Sequence, residues 1–220
     1  MNIVRVNSFF RDALDDYKGS TLVVCCGLDS DKKVVQGVWP GILTNDNVKN
    51  PFLLKVDDHS VVWFDDDDFL NTTLGQREIQ PKQMFTVDDE SVYEIRSVYQ
   101  YLNPSDKQNI DSIERMVKIK AICTDEHRKK EKNNFVLWCG LDAKGNVPDG
   151  EWMGYYEDEE NVWPIIVTIG KYSEVDYGNN IKDWMDLRSG KIGDRFIIKV
   201  VDEENITKIY NYEILEQHVF

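Results

Sequence analysis

Cysteine, histidine and long apolar runs are all scarce in this 220-residue chain, and each scarcity closes off a class of function. The four cysteines, Cys25, Cys26, Cys123 and Cys139, form no CxxC pair. That argues against a zinc module or a disulfide framework and for reduced, buried thiols. The three histidines, His59, His127 and His218, leave few general bases that work at neutral pH. No stretch approaches the roughly 20 apolar residues that cross a bilayer. The start, MNIVRVNSFFRDALDD, lacks the basic and apolar regions of a signal peptide, so the expected compartment is the cytoplasm. GxSxG, P-loop and dinucleotide-glycine patterns are missing, which leaves serine-hydrolase and nucleotide chemistry without an anchor; no cofactor is expected. Positive charge is in deficit, with 26 Lys and Arg against 40 Asp and Glu. The resulting net charge of −14 repels nucleic-acid phosphates and anionic lipid surfaces and favours a basic protein partner.

What the chain has in abundance is repetition. CGLDSDKKVVQGVWPG begins at Cys26 and CGLDAKGNVPDGEWMG at Cys139, an offset of 113. The same offset pairs Asp29 with Asp142, Gly37 with Gly150, Trp39 with Trp152 and Gly41 with Gly154. Continued without a gap, it pairs Pro51 with Pro164, Val62 with Val175, Leu74 with Leu187, Ile79 with Ile192, Asp89 with Asp202, Tyr99 with Tyr212 and Leu102 with Leu215. A period of this length is far above the roughly 20 to 50 residues of a solenoid unit and matches a small domain. The chain therefore reads as two homologous domains, residues 1–107 and 115–220. They are joined by residues 108–114, near the polar stretch NPSDKQNIDS.

Period-two alternation of β-branched and aromatic residues in VRVNSF, MVKIKAI, LLKV and FIIKVV predicts strands. FTVDDESVYEIRSVYQYL and FIIKVVDEENITKIYNYEIL each predict a closing hairpin around an acidic turn. DDDDFLNTTLGQ and NNIKDWMDLRSGK predict one short helix apiece, started by Asp or Asn caps. DDYKGS and HRKKEKNN read as loops or frayed helix. The expectation is a mainly β protein, a tandem duplication of a small β-barrel or rolled twisted sheet, with six or seven strands and at most one short helix per unit.

The repeated motif reads as a hairpin turn and not as chemistry. Asp29 and Asp142 stand where an aspartate bonds the backbone amides that follow it, and Cys26 and Cys139 end apolar strands. The D-x-D spacing of the first copy becomes D-x-K in the second, and neither has the glutamate of a calcium loop, so no metal site is assigned. The offset places Tyr172 opposite His59, which excludes a duplicated histidine site.

The carboxylate runs are the functional candidates. Asp65, Asp66, Asp67 and Asp68 follow Trp63, while Glu157, Asp158, Glu159 and Glu160 precede Trp163; Asp88 to Glu90 and Asp202 to Glu204 form two more runs. Aromatic rings beside carboxylates suit an arginine or another cation. Trp39 and Trp152, being equivalent, are expected in the cores, whereas Trp63, Trp138, Trp163 and Trp184 have no tryptophan counterpart and are expected at an interface or pocket. The reading is a non-enzymatic, inhibitor- or immunity-like binding protein. It would engage a basic protein, nucleic-acid-binding proteins among the candidates, while touching neither nucleic acid nor membrane. The alternative is a small-ligand-binding protein or an enzyme with its site in the cleft between the two domains.

Overall fold

A computed structural model of the chain describes residues 1–11, 19–45, 48–65, 68–88, 91–100, 113–125, 133–158, 161–178, 181–201 and 205–220, the side chains of residues 65, 68 and 100 excepted. The chain divides into two compact units, Met1–Asn103 and Pro104–Phe220. Unit one contains β1 (Asn2–Phe10), β2 (Thr21–Leu28), β3 (Gly37–Asn45), β4 (Val48–Val56), β5 (Ser60–Asp65), β6 (Asp68–Thr72), β7 (Met84–Val87) and β8 (Ser91–Gln100). Unit two contains β9 (Arg115–Cys123), β10 (Asn134–Leu141), β11 (Gly150–Glu157), β12 (Val162–Ile169), β13 (Ser173–Asp176), β14 (Lys182–Met185), β15 (Arg195–Val201) and β16 (Thr207–Val219). Each strand pairs antiparallel with its sequence neighbours, and the last pairs with the first, giving two closed up-and-down barrels. Closure removes the exposed edges that an open sheet would leave for aggregation.

Each barrel has eight strands, not six or seven, because both segments expected to be helical are mainly strand. Within DDDDFLNTTLGQ, Asp68–Thr72 is β6 and Leu74–Gln76 a 3-10 turn, and within NNIKDWMDLRSGK, Lys182–Met185 is β14. Helix caps are local signals, but Leu70 with Thr72 and Asp183 with Met185 sit two apart and share the inner face, and ladder pairing overrides the local preference. These strands also form the narrowest seam. Only Thr72↔Val87 joins β6 to β7, and two residue pairs join β14 to β15. Side chains supply the missing ladder bonds at equivalent places. The Thr86 amide donates to Thr73 Oγ1 at 2.9 Å, and the Ile197 amide donates to Asp186 Oδ1 at 2.6 Å.

The 113 offset carries through the first six strands of each barrel and then changes. In the closing hairpins Phe85 stacks on Tyr93 (5.6 Å, 15°) and Phe196 on Tyr212 (5.3 Å, 11°), so Tyr212 answers Tyr93 and not Tyr99. The bulges agree, with one extra residue at Arg96 in β8 and one at Leu215 in β16. Between the two stacked pairs the second hairpin is eight residues longer, seven intervening residues becoming fifteen.

Inward positions build the cores. Val4, Val6, Leu22, Val24, Phe52, Leu54, Val62, Phe85 and Ile95 fill the first, and Val117, Ile119, Ala121, Phe135, Leu137, Ile165, Val167, Val175 and Ile214 fill the second, all 0–2% exposed. Trp39 and Trp152 are in the cores as expected, at 5% and 6% exposure. All four cysteines are free and buried, and burial pushes the Cys26 thiol well above its ordinary range, which makes it a packing group and not a nucleophile.

Candidate functional site

In an up-and-down barrel, alternate connections emerge at opposite ends, and here that rule separates turn from charge. The repeated CGLD turns join β2 to β3 and β10 to β11 and lie at one rim. Asp29 Oδ1 accepts from the Asp31 and Lys33 amides at 2.8 and 2.9 Å, and Asp142 Oδ1 accepts from the Lys144 and Asn146 amides, both at 2.8 Å. The Trp39 and Trp152 indoles donate to carbonyls four residues earlier, Val35 at 2.8 Å and Pro148 at 3.0 Å. Gly37 and Gly150 enter the following strand at φ +146° and +151°, a backbone region that side chains disfavour. The repeated motif is thus one hairpin built twice, its aspartates spent on backbone amides.

One prediction follows for this turn. The Asn146 backbone amide is the largest influence and, helped by the Asn146 side chain and the Lys144 amide, holds the Asp142 carboxyl below its ordinary range against an opposing desolvation. A carboxyl with a depressed folded-state pKa stabilises the fold above its unfolded-state pKa and loses that contribution as pH falls through the folded-state value. Asp142→Ala is therefore expected to lower the melting temperature at neutral pH, with the gap from the unsubstituted protein shrinking in acid. A gap that stays constant down to the acid limit would rule out the charge as its source.

The connections on the opposite side are acidic in sequence, and most of their charged residues lie outside the described residues. The connections β1–β2, β3–β4, β5–β6 and β7–β8 carry nine acidic and two basic residues, whereas the CGLD-side connections of the same barrel carry five acidic and four basic. In the second barrel, β9–β10, β11–β12, β13–β14 and β15–β16 carry nine acidic and four basic residues, against four and four at the CGLD side. The net charges are −7 against −1, and −5 against 0. The strand order puts at one end of each barrel the strand ends that flank these runs, which lie about 20 to 45 residues apart in sequence.

The individual site residues take different roles. Asp65 and Asp68 pair across β5 and β6 at the acidic rim; Asp66, Asp67, Glu159 and Glu160 lie outside the described residues. Asp88 caps the end of β7 with φ +54°. Glu157 ends β11 and accepts from Asn134 Nδ2 at 3.2 Å; Asp158 holds the following turn, its Oδ1 accepting from the Asn161 amide at 2.9 Å. Trp63 points outward from β5, on the same face as Leu53 and the 61%-exposed Phe69. Trp163 points inward and stacks on Tyr156 (5.4 Å, 28°), so the two tryptophans chosen beside the acidic runs occupy opposite faces of their sheets. Trp138 is 2% exposed, with Lys118 Nζ 4.6 Å from its ring, and Trp184 is 42% exposed on the outer face of β14.

Four inward residues near the second acidic rim were not legible as a group: Tyr156, Tyr177, Asp183 and Tyr210. Their signal is a carboxylate at an inward strand position, visible only once KDWM is read as strand instead of helix. Burial pushes the Asp183 carboxyl up, and a hydrogen bond from Tyr177 partly offsets that.

The chain matches no family model, no curated protein and no solved structure.

Proposed function

We propose that this chain is a non-enzymatic binding protein that presents acidic barrel rims to a basic protein surface, in the manner of an inhibitor or immunity protein. The observation that carries this reading is the segregation of charge. In both barrels the connections on the CGLD side are near neutral in sequence, and the connections that join the opposite strand ends are acidic in sequence. A solubilising charge would serve equally well at either end; a field concentrated at one end steers a partner of opposite sign. A nucleic-acid-binding protein offers such a basic face, and an acidic rim seated on it would occupy the site that phosphates use.

Neutralising Asp65, Asp66, Asp67 and Asp68 together to asparagine is expected to slow association with the cognate partner by about tenfold at low salt and to flatten its dependence on salt, with little change in dissociation. Stopped-flow or surface-based kinetics reads both rates. Unchanged association at every salt concentration would remove the rim from the interface.

A further inference from the structure

The hairpin of β5 and β6 and its counterpart of β13 and β14 carry different chemistry on their outer faces. In the first, Trp63 pairs with Phe69 across the ladder and Val61 with Asn71, positions that alternate with the inward Val62 and Leu70. The equivalent pairs in the second are Asp176 with Lys182 and Glu174 with Trp184. There Lys182 bridges both carboxylates, Glu174 at 2.7 Å and Asp176 at 3.5 Å. One barrel covers this part of its outer face with paired charges, and the other places two aromatic rings there. Both barrels close, so closure does not require a ring at either position.

The exposure of these rings is graded. Along the row that crosses β4, β5 and β6, Leu53 is 1% exposed, Trp63 is half-buried and Phe69 is 61% exposed. Directly opposed residues on one face lie about 4.5 to 5.5 Å apart at their β-carbons, so the ladder sets Trp63 and Phe69 side by side. A lone exposed phenylalanine is ordinary, whereas two large rings that adjoin and run into a buried apolar row make a ridge of the kind that anchors interfaces. The next pair outward on the same hairpin is Asp65 with Asp68, and the connection between them adds Asp66 and Asp67 in sequence. An aromatic ridge and an acidic run thus share one hairpin.

We propose that the outer face of the β5–β6 hairpin docks an arginine-bearing segment of the basic partner, with guanidinium groups lying on the Trp63 and Phe69 rings and the Asp65 to Asp68 run supplying the opposite charge. This rests on the rim reading above and adds to it the residue type that the partner presents. Arginine fits better than lysine for two reasons. Its guanidinium is planar and stacks on a ring, and it is weakly hydrated and so gives up less water when pressed against an apolar face. An apolar partner residue would use the rings and not the charge beside them, and a phosphate-bearing ligand would be repelled. In the second barrel Lys182 holds the place of Phe69, so the site belongs to the first barrel alone.

The test uses the whole chain and three peptide amides of about six residues, of arginine, of lysine and of the neutral isostere citrulline, at about 50 mM salt. Calorimetry reads the affinities, and the Trp63 indole and Phe69 amide resonances locate the contact. The expected result is saturable binding of the arginine peptide about threefold tighter than the lysine peptide, with both resonances shifting and no saturation by citrulline. Trp63→Asp combined with Phe69→Lys installs the residues of the second barrel at constant net charge, and it is expected to bring the arginine and lysine affinities together. Phe69→Thr, at the exposed position, carries the same test if that pair fails to fold. An arginine preference that is absent, or that survives these substitutions in full, would overturn the assignment. So would self-association of the chain that Phe69→Thr abolishes, because the face would then belong to a second copy. The variant with Asp65 to Asp68 changed to asparagine separates the two readings. It is expected to weaken the arginine and lysine peptides alike and to keep the ratio between them. Undiminished binding of both by that variant would count against the acidic run, while the ratio reports on the rings, so either failure is seen without the other.

Discussion

Gly154→Ala is expected to destabilise the second barrel by about 3 kcal/mol, whereas Gly170→Ala, sixteen residues along the same barrel, changes stability by less than about 0.5 kcal/mol. Gly154 pairs with Leu137 on β10 and Ile165 on β12, and a β-carbon there would run into the backbone carbonyl oxygen of Val136. That oxygen belongs to a strand held on both sides, so it cannot swing aside as a side chain would; the ladder itself has to open. Gly41, the equivalent residue, would place its β-carbon against the ring of Phe52, a fully buried side chain with some freedom to re-seat, so Gly41→Ala costs less than Gly154→Ala. Gly170 has no atom within 4 Å of a new β-carbon. Urea unfolding followed by circular dichroism gives all three values, and a Gly154→Ala cost below that of Gly41→Ala would contradict the backbone argument.

The second large effect comes from Phe135, which is fully buried and meets Phe196 at 5.3 Å and Tyr212 at 6.1 Å. With the stacked Phe196–Tyr212 pair it joins β10, β15 and β16 across the barrel interior, so one side chain ties the early hairpin to the closing one. Truncation leaves a void between rings that are themselves fixed by the ladders, and Phe135→Ala is expected to cost about 4 kcal/mol. Phe135→Leu is expected to cost only about 1 kcal/mol, because the first barrel has Leu22 at this position and closes around it. Equilibrium unfolding again provides the readout. Equal costs for alanine and leucine would show that the ring and not the filled volume is what the core needs.

The duplication, the hairpin turns and the two core tryptophans were legible because each is a local pattern with a local cause. Asp29 and Asp142 bond their own following amides, and nothing distant is needed to see why they stand there. The sixth strand of each barrel is harder to read. Asp and Asn before an amphiphilic stretch signal a helix start, but β6 and β14 are held by the strands on either side of them, a cause that a local window does not contain. The change of offset in the closing hairpins is hidden for the same reason. Tyr99 and Tyr212 match by position, yet Tyr93 is the residue that stacks as Tyr212 does. The acidic runs are visible as composition, and only the strand order shows that the strand ends flanking them share one end of each barrel. Trp163 has acidic neighbours in sequence, whereas its physical neighbours are Tyr156 and the inward face of the barrel. Asp183 went unnoticed because an isolated Asp between Lys and Trp has no meaning until its inward direction is known.

We propose that one rim, and not negative charge in general, meets a basic partner. It is tested most directly by capturing partners from native lysate at about 50 mM and about 300 mM salt, a range that strongly changes screening. Three baits are compared: the unaltered chain, the acidic-rim variant with Asp65 to Asp68 changed to asparagine, and a variant of the opposite rim with Asp31→Asn, Asp58→Asn and Glu78→Gln. The account predicts that a basic protein is held at low salt and released at high salt by the unaltered chain and by the opposite-rim variant, and is lost from the acidic-rim variant at both. Equal retention by all three baits, or equal loss from both variants, would contradict it.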